Sequence, residues 1–317
     1  MDKKIVIITG ISGQDGQYLT KILVEKNYFV VGMTTSPKLK FYEEFSQNSL
    51  KVLQVNDYSK EEIKSIIEIY PPSCIVNFAA QSSVRKSWDD QDLTWKSNHS
   101  NVLNFLDVIE EFQNRTKSQV HFVQAGSSEM FGNPSELPLN ENSSMVPVSP
   151  YAKSKYEAYK SCQKSRISSN LKVANLILFN HESFLRKPEF LCSQIISQAK
   201  SVKRGDIEFI DLMYGSVQRD WGHAKDFMDA VYLIIQEQID ADLIISTGKA
   251  HSVKEFAECA LRKVGVVELE KHIRVQFEFP PSNIPPTIYG DNSKIQSLIP
   301  WKPRYSFEEM ISEIMEH

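Results

Sequence analysis

Tyr151 and Lys155 stand four residues apart in the stretch SPYAKSK. On a helix that spacing puts both side chains on one face. An ammonium beside a phenol stabilises the phenolate and lowers the tyrosine pKa, so Tyr151 can take or give a proton near neutral pH. The same spacing on a surface helix is an ordinary polar pair, and what gives it weight is the sequence upstream. An apolar run at 120–125 reads as a strand and ends in GSSE, which brings the hydroxyls of Ser127 and Ser128 and the carboxylate of Glu129 to its carboxyl end. Carboxyl ends of parallel strands are where ligands sit.

A second group lies at the start of the chain. Gly10, Gly13 and Gly16 in TGISGQDGQYL fall between a β-branched run at 5–9 and an amphipathic pattern at 17–26. Glycines there let the backbone approach a pyrophosphate, which the unpaired N–H groups of the helix N-terminus stabilise. A tight turn uses the same residue type, but the strand–glycine–helix context favours a dinucleotide site. An acidic residue after the second strand would bind the ribose diol of NAD. This chain has Thr34, Thr35, Ser36 and Lys38 instead, which suit a 2′-phosphate. NADP is therefore expected and NAD stays open, since a solvated polar loop has the same composition. Asp57 is either an adenine contact or a turn-forming residue.

These groups need a scaffold. Strand patterns at 5–9, 28–33, 51–55, 74–78, 120–125 and 173–179 alternate with helical patterns at 17–26, 60–69, 98–112 and 150–168. Strands joined through helices of this length form a parallel sheet covered on both faces. The expected fold is α/β, a Rossmann doubly wound parallel sheet with a smaller mixed α/β lobe at the C-terminal side. We place the nucleotide-binding domain at 1–180, completed by part of 215–250 with a late strand at 242–246. The lobe occupies 181–317 and includes a helix at 189–200 and the proline cluster PPSNIPP.

Composition closes off other classes. The 317 residues are 41% hydrophobic and 24% charged, as in ordinary globular chains. A net charge of −4 with scattered Lys and Arg gives no electrostatic grip on nucleic acid. No apolar run reaches ~18 residues, so no membrane span is expected. Cys74, Cys162, Cys192 and Cys259 form no CxxC pair and have no His at ligand spacing, so neither a metal site nor a disulfide framework is indicated. Free thiols in a reducing cytoplasm are the plain reading.

Taken together, TGISGQDGQYL, NFAAQSSV (77–84), SSEMFG (127–132), SPYAKSK, LFNHES (178–183), RDWGHAKDF (219–227), STGKAHSVKEF (246–256) and WKPRYSFEEM span nearly the whole chain. The chain resembles the extended short-chain dehydrogenase/reductase superfamily and, within it, the GDP-mannose 4,6-dehydratases. The glycine and YxxxK motifs specify only the superfamily; FNHES and RDWGHAKD are the distinctive ones. The resemblance implies an internal redox reaction. Tyr151 takes the proton of the sugar 4-hydroxyl as hydride passes from C4 to NADP, with Ser127 hydrogen-bonded to the same oxygen. Glu129 then removes the C5 proton, the C6 hydroxyl leaves as water, and hydride returns to C6. A carboxylate at a helix N-terminus is the competing account of Glu129.

The resemblance also implies cofactor contacts from Gly10, Gly13, Gln14, Asp15, Gly16, Thr35, Ser36, Asp57, Tyr58, Ala79, Ala80, Tyr151, Lys155 and His181. Ser82, Ser128, Asn180, Glu182, Arg186 and Arg219 are the implied substrate contacts. Arg219 suits a diphosphate, because guanidinium pairs bidentately with phosphate oxygens; an ion pair with Asp220 or Asp226 is its alternative.

The chain departs from the family pattern in five places. Ser127 stands where the family has Thr, and Thr35 and Ser36 stand where it has two arginines for the 2′-phosphate. The arm after the second strand shortens to SPKLKFYEEF, so a homodimer is expected, with a tetramer as the alternative. An RRG turn becomes Leu185-Arg186-Lys187, and an Arg-Pro-x-Glu stretch becomes Pro281-Ser282-Asn283-Ile284. The sugar and the base therefore stay open, a heptose analogue or another nucleotide fitting as well. A 4-ketosugar reductase or epimerase of the same superfamily is the second reading. A non-catalytic nucleotide-binding protein is the third, against which stand Ser127, Glu129, Tyr151 and Lys155 together.

Overall fold

The computed structural model describes residues 3–36, 40–281 and 284–316, so that Lys38, Ser282 and Asn283 lie outside it. Seven strands, β1 (Ile5–Thr9), β2 (Phe29–Thr34), β3 (Leu50–Gln54), β4 (Cys74–Asn77), β5 (His121–Ala125), β6 (Lys172–Leu178) and β7 (Asp242–Ile245), form one sheet in the order β7-β6-β5-β4-β1-β2-β3. The β1–β2, β1–β4, β2–β3, β4–β5 and β5–β6 pairs are all parallel. This is the doubly wound sheet that the alternation predicts. Its order reverses between β1 and β4, and the turns after those two strands flank the switch point where such sheets bind ligands.

Helices α1 (Gln14–Glu25), α2 (Lys60–Ile69), α3 (Asn101–Thr116) and α4 (Pro150–Ser168) connect the strands. Ile7, Val31, Ile75 and Phe122 of the sheet pack with Ile63, Phe105, Ile109 and Cys162 of the helices. Local signals set the helix ends. Ser59 caps α2 by accepting from the Glu62 N–H, and Ser149 caps α4 by accepting from the Ala152 N–H at 3.0 Å, with Pro150 as its first residue.

Two further helices, Val84–Asp89 and Gln91–Trp95, were not expected: their charge-rich segment carries no apolar stripe. Each is capped by a side chain, Ser83 accepting from the Lys86 N–H and Asp90 from the Leu93 N–H.

The rear of α4 is tied to the sheet through Asp242. Its carboxylate accepts from Tyr159 Oη at 2.9 Å, Gln163 Nε2 at 2.5 Å, Arg166 Nη2 at 2.9 Å and Asn175 Nδ2 at 2.9 Å. Burial opposes its charge, but the hydrogen bonds from Gln163 and Asn175 and the Arg166 guanidinium outweigh burial and hold the carboxyl below its ordinary pKa. A depressed carboxyl pKa contributes stability that is complete above the ordinary value of ~3.9 and is lost as pH falls below it. Asp242→Asn is expected to lower the unfolding free energy by about 2 kcal/mol at neutral pH, read from the urea midpoint, and the deficit should shrink on acidification.

The chain divides into two compact units, one formed by Met1–Phe131, Met145–Leu178 and Met228–Leu243, the other by Gly132–Ser144, Phe179–Phe227 and Ile244–His317. The second unit is mixed α/β. Gln218–Arg219 lies between His251–Ser252 and Thr287–Ile288, Asn180–Glu182 pairs with Trp221–His223, and Ile210–Tyr214 pairs with Ile273–Phe277. Its core gathers Cys192, Ile195, Trp221, Phe256, Phe307 and Ile311. Among the described residues no helix is long and apolar enough to cross a membrane. No group of three or more His, Cys, Asp or Glu among them could hold a metal ion.

Candidate active site

The glycine turn is built for close approach. Gly10 has φ +63°, and a Cβ on it would lie 2.8 Å from the Ala79 nitrogen. A Cβ on Gly16 would lie 2.5 Å from both Cα and O of Ile11. Only glycine fits at either place. The Gly13 N–H donates to the Gly10 carbonyl at 2.9 Å, and α1 begins with Gly13 as its cap and no side-chain cap bond. A glycine cap has no side chain to place over the helix N-terminus, and such an end suits an anionic ligand such as a pyrophosphate.

From this turn a buried polar ladder crosses the carboxyl ends of the central strands. The Ala79 N–H donates to Thr9 Oγ1 at 3.0 Å, Thr9 Oγ1 to Asn77 Oδ1 at 2.6 Å, and Asn77 Nδ2 to Gln124 Oε1 at 2.8 Å. Gln124 Nε2 then donates to the Ala125 carbonyl at 2.9 Å, which also accepts from Lys155 Nζ at 2.8 Å. Buried polar groups persist where they are hydrogen-bonded, as these are. Thr9, Asn77 and Gln124 are not among the residues expected from the sequence; the available signal was a polar residue at or next to the end of an apolar strand.

Lys155 is 4% exposed. Burial pushes its ammonium down to about 8, while the charge of Asp15 pulls the other way. An ammonium that supports a phenolate is lost on deprotonation, so kcat/KM should fall above about pH 8. Removing the Asp15 charge takes away a stabiliser of the ammonium, so in Asp15→Asn the alkaline limb should move to lower pH. A pH–rate comparison of the two proteins checks this.

Tyr151, one turn before Lys155 on α4, is 8% exposed. The single turn Ser128–Phe131 packs against α4. Ser127 Oγ accepts from the Glu129 N–H at 3.2 Å, so the N–H of the turn's second residue is capped by the serine. The Glu129 carboxylate is half-buried and has no hydrogen-bond or ion-pair partner among the described residues. Ser128 is buried. Asn98, also missed from the sequence, braces α4: its Nδ2 donates to Ser154 Oγ at 3.1 Å and to the Gln81 carbonyl at 3.0 Å.

The remaining residues of this unit differ in exposure. Gln14 is buried and donates to Asp15 at 3.2 Å. Thr35 and Ser82 are exposed, whereas Ser36, Ala79 and Ala80 are half-buried. Asp57 accepts from the Ser59 N–H at 3.1 Å, a turn-forming bond, and pairs with Lys96 at 3.5 Å. The Tyr58 side chain is packed in the core.

In the second unit, His181 is buried, with Nδ1 2.8 Å from the Phe179 carbonyl and its ring stacked on Phe227 at 4.7 Å. Asn180 is half-buried. Glu182 is 3% exposed and pairs with Arg186 at 3.2 Å, and the Arg186 guanidinium lies 3.7 Å over the Phe190 ring. Arg219 Nη1 donates to the carbonyls of Gln218 at 2.8 Å and Pro285 at 3.0 Å. The carboxylates weighed as its ion-pair partners are engaged elsewhere: Asp220 accepts from Thr247, Gly248 and Gly290, and Asp226 from Arg304 and Tyr305.

A glycine turn after β1, a YxxxK helix and a seven-stranded sheet of this order define the extended short-chain dehydrogenase/reductase class. Within it the chain belongs to the GDP-mannose 4,6 dehydratase family, whose model it matches over residues 7–314. The GDP-mannose 4,6 dehydratase of Cricetulus griseus is 32% identical over 345 residues, 99% of this chain and 91% of that protein. Among solved structures, dTDP-glucose 4,6-dehydratase (rfbB) from Bacillus anthracis in complex with NAD superposes with a TM-score of 0.84 at 18% identity, covering 99% of this chain and 96% of that one. RMD from Pseudomonas aeruginosa complexed with NADPH superposes with a TM-score of 0.79 at 20% identity, covering 99% and 98%.

Proposed function

We propose that the chain is a nucleotide-sugar 4,6-dehydratase that converts GDP-mannose, or a close relative of it, to the 4-keto-6-deoxy sugar nucleotide. The observation that carries this reading is the uncommitted Glu129 carboxylate on a turn packed against the helix of Tyr151 and Lys155. A reductase needs only the tyrosine and lysine; removal of a C–H proton needs a further base.

The glycine turn and the start of α1 would hold the diphosphate of a nicotinamide dinucleotide, NADP by the hydroxyls of Thr35 and Ser36, with Lys155 and Tyr151 toward its nicotinamide half. When bound, that group supplies an acceptor and then a donor of two electrons, so that C4 can be oxidised and C6 reduced with no net consumption. Tyr151 takes the proton of the C4 hydroxyl, and the Lys155 ammonium stabilises the phenolate so formed. Ser127 Oγ donates to the same oxygen and fixes its direction. Once C4 is a ketone the C5 proton is acidic; Glu129 takes it and passes it to the C6 hydroxyl, which departs as water, and C5 regains a proton from solvent when C6 is reduced.

In this reading the first unit carries the cofactor and the second most of the sugar-nucleotide contacts, among them Asn180, Glu182, Arg186 and Arg219. The Arg186 guanidinium, held over the Phe190 ring, is suited to a phosphate or a base. We place the protein in the cytoplasm, which its four buried free thiols suit. A homodimer fits the exposed Trp88, Leu93, Trp95 and Leu103 on neighbouring helices. The test separating dehydratase from reductase is stoichiometry: turnover with no loss of added NADPH supports the first, one NADPH consumed per product the second.

A further inference from the structure

Ile11 sits between the first two glycines of the cofactor turn and is held from three sides. Its side chain has no exposed surface and fills the space over β2, where a Cβ on Gly32 would lie 2.1 Å from its Cδ1. Its N–H reaches the Met33 carbonyl at 3.4 Å. Its carbonyl accepts from the hydroxyl of Tyr42, a buried residue of the single turn Lys40–Glu44 in the shortened arm after β2. This is the same carbonyl that forces position 16 to be glycine, so it also sets where α1 can start.

A second tyrosine reinforces the arrangement: Tyr58 Oη donates to the Met33 carbonyl at 3.4 Å. Burial raises the Tyr42 phenol well above its ordinary pKa and pushes Tyr58 up to about 12, so both stay protonated donors over the working pH range. Packing alone would be served by Phe at position 42. The hydroxyl is there for the carbonyl, since a buried backbone oxygen requires a donor.

We propose that Tyr42 is a positioning residue for the nicotinamide dinucleotide: by clasping the Ile11 carbonyl it holds the glycine turn and the first turn of α1 in the shape that receives a pyrophosphate. The proposal rests on reading that turn as the dinucleotide site. A turn already in its bound shape gives up less conformational freedom on binding, and losing one such bond weakens affinity by about tenfold.

The test is calorimetric titration of NADPH, and separately of NADH, into the wild-type protein, Tyr42→Phe and Tyr159→Phe. Tyr159 is an equally buried tyrosine whose hydroxyl serves Asp242, so its loss imposes a comparable structural defect away from the turn. We expect Kd for the preferred dinucleotide to rise about tenfold in Tyr42→Phe and to stay within twofold of wild type in Tyr159→Phe. Wild-type affinity in Tyr42→Phe, or equal weakening in both variants, overturns the clasp while leaving the site intact. If the wild-type protein binds neither dinucleotide, the clasp falls together with the reading of the turn.

Discussion

Tyr151→Phe is expected to lower turnover by about 10³-fold while dinucleotide affinity stays within twofold of wild type. The substitution keeps the ring in its buried place and removes only the hydroxyl to which we assign the C4 proton. Lys155 keeps its bond to the Ala125 carbonyl, and the glycine turn is untouched. Steady-state rates on GDP-mannose, paired with NADPH titration, separate the two effects. Turnover above about a tenth of wild type would remove Tyr151 from the proton transfer.

Glu129→Gln should be nearly as damaging but at a different bond. The amide is isosteric and cannot act as a base, so loss of water should slow by about 10³-fold. In D₂O the wild-type protein should place solvent deuterium at C5 of the sugar, and Glu129→Gln should not. Because Ser127 Oγ already caps the Glu129 N–H, the structure of the turn does not depend on the carboxylate. A loss of only a few fold, with C5 exchange persisting, would mean that Glu129 serves the turn and another group takes the proton.

Much of the scaffold was legible because its signals are local. Continuous apolar runs marked the buried parallel strands, and the helical patterns at 60–69 and 150–168 match the helices that the structure starts after Ser59 and Ser149. The first helix starts at Gln14, earlier than the periodic pattern at 17–26, because its opening turn is shaped by glycine and carries no apolar stripe. The helices around Trp88 and Trp95 stayed hidden for the related reason that they bury little. Glycines, tyrosine, lysine and glutamate could be picked out by type and spacing. Thr9, Asn77, Gln124, Asn98 and Tyr42 could not: each matters through a partner distant in the sequence, and only the fold brings Asn77 to Gln124 or Tyr42 to Ile11.

In the proposed reaction one protein oxidises and reduces the same sugar, with water as the only thing lost. This is tested most directly by incubating the purified protein with GDP-mannose, without added NADPH, and weighing the nucleotide sugar by mass spectrometry. A product lighter by one water is expected. GDP-mannose returned unchanged by a protein that binds it, or a product formed only when NADPH is supplied and consumed, would contradict it.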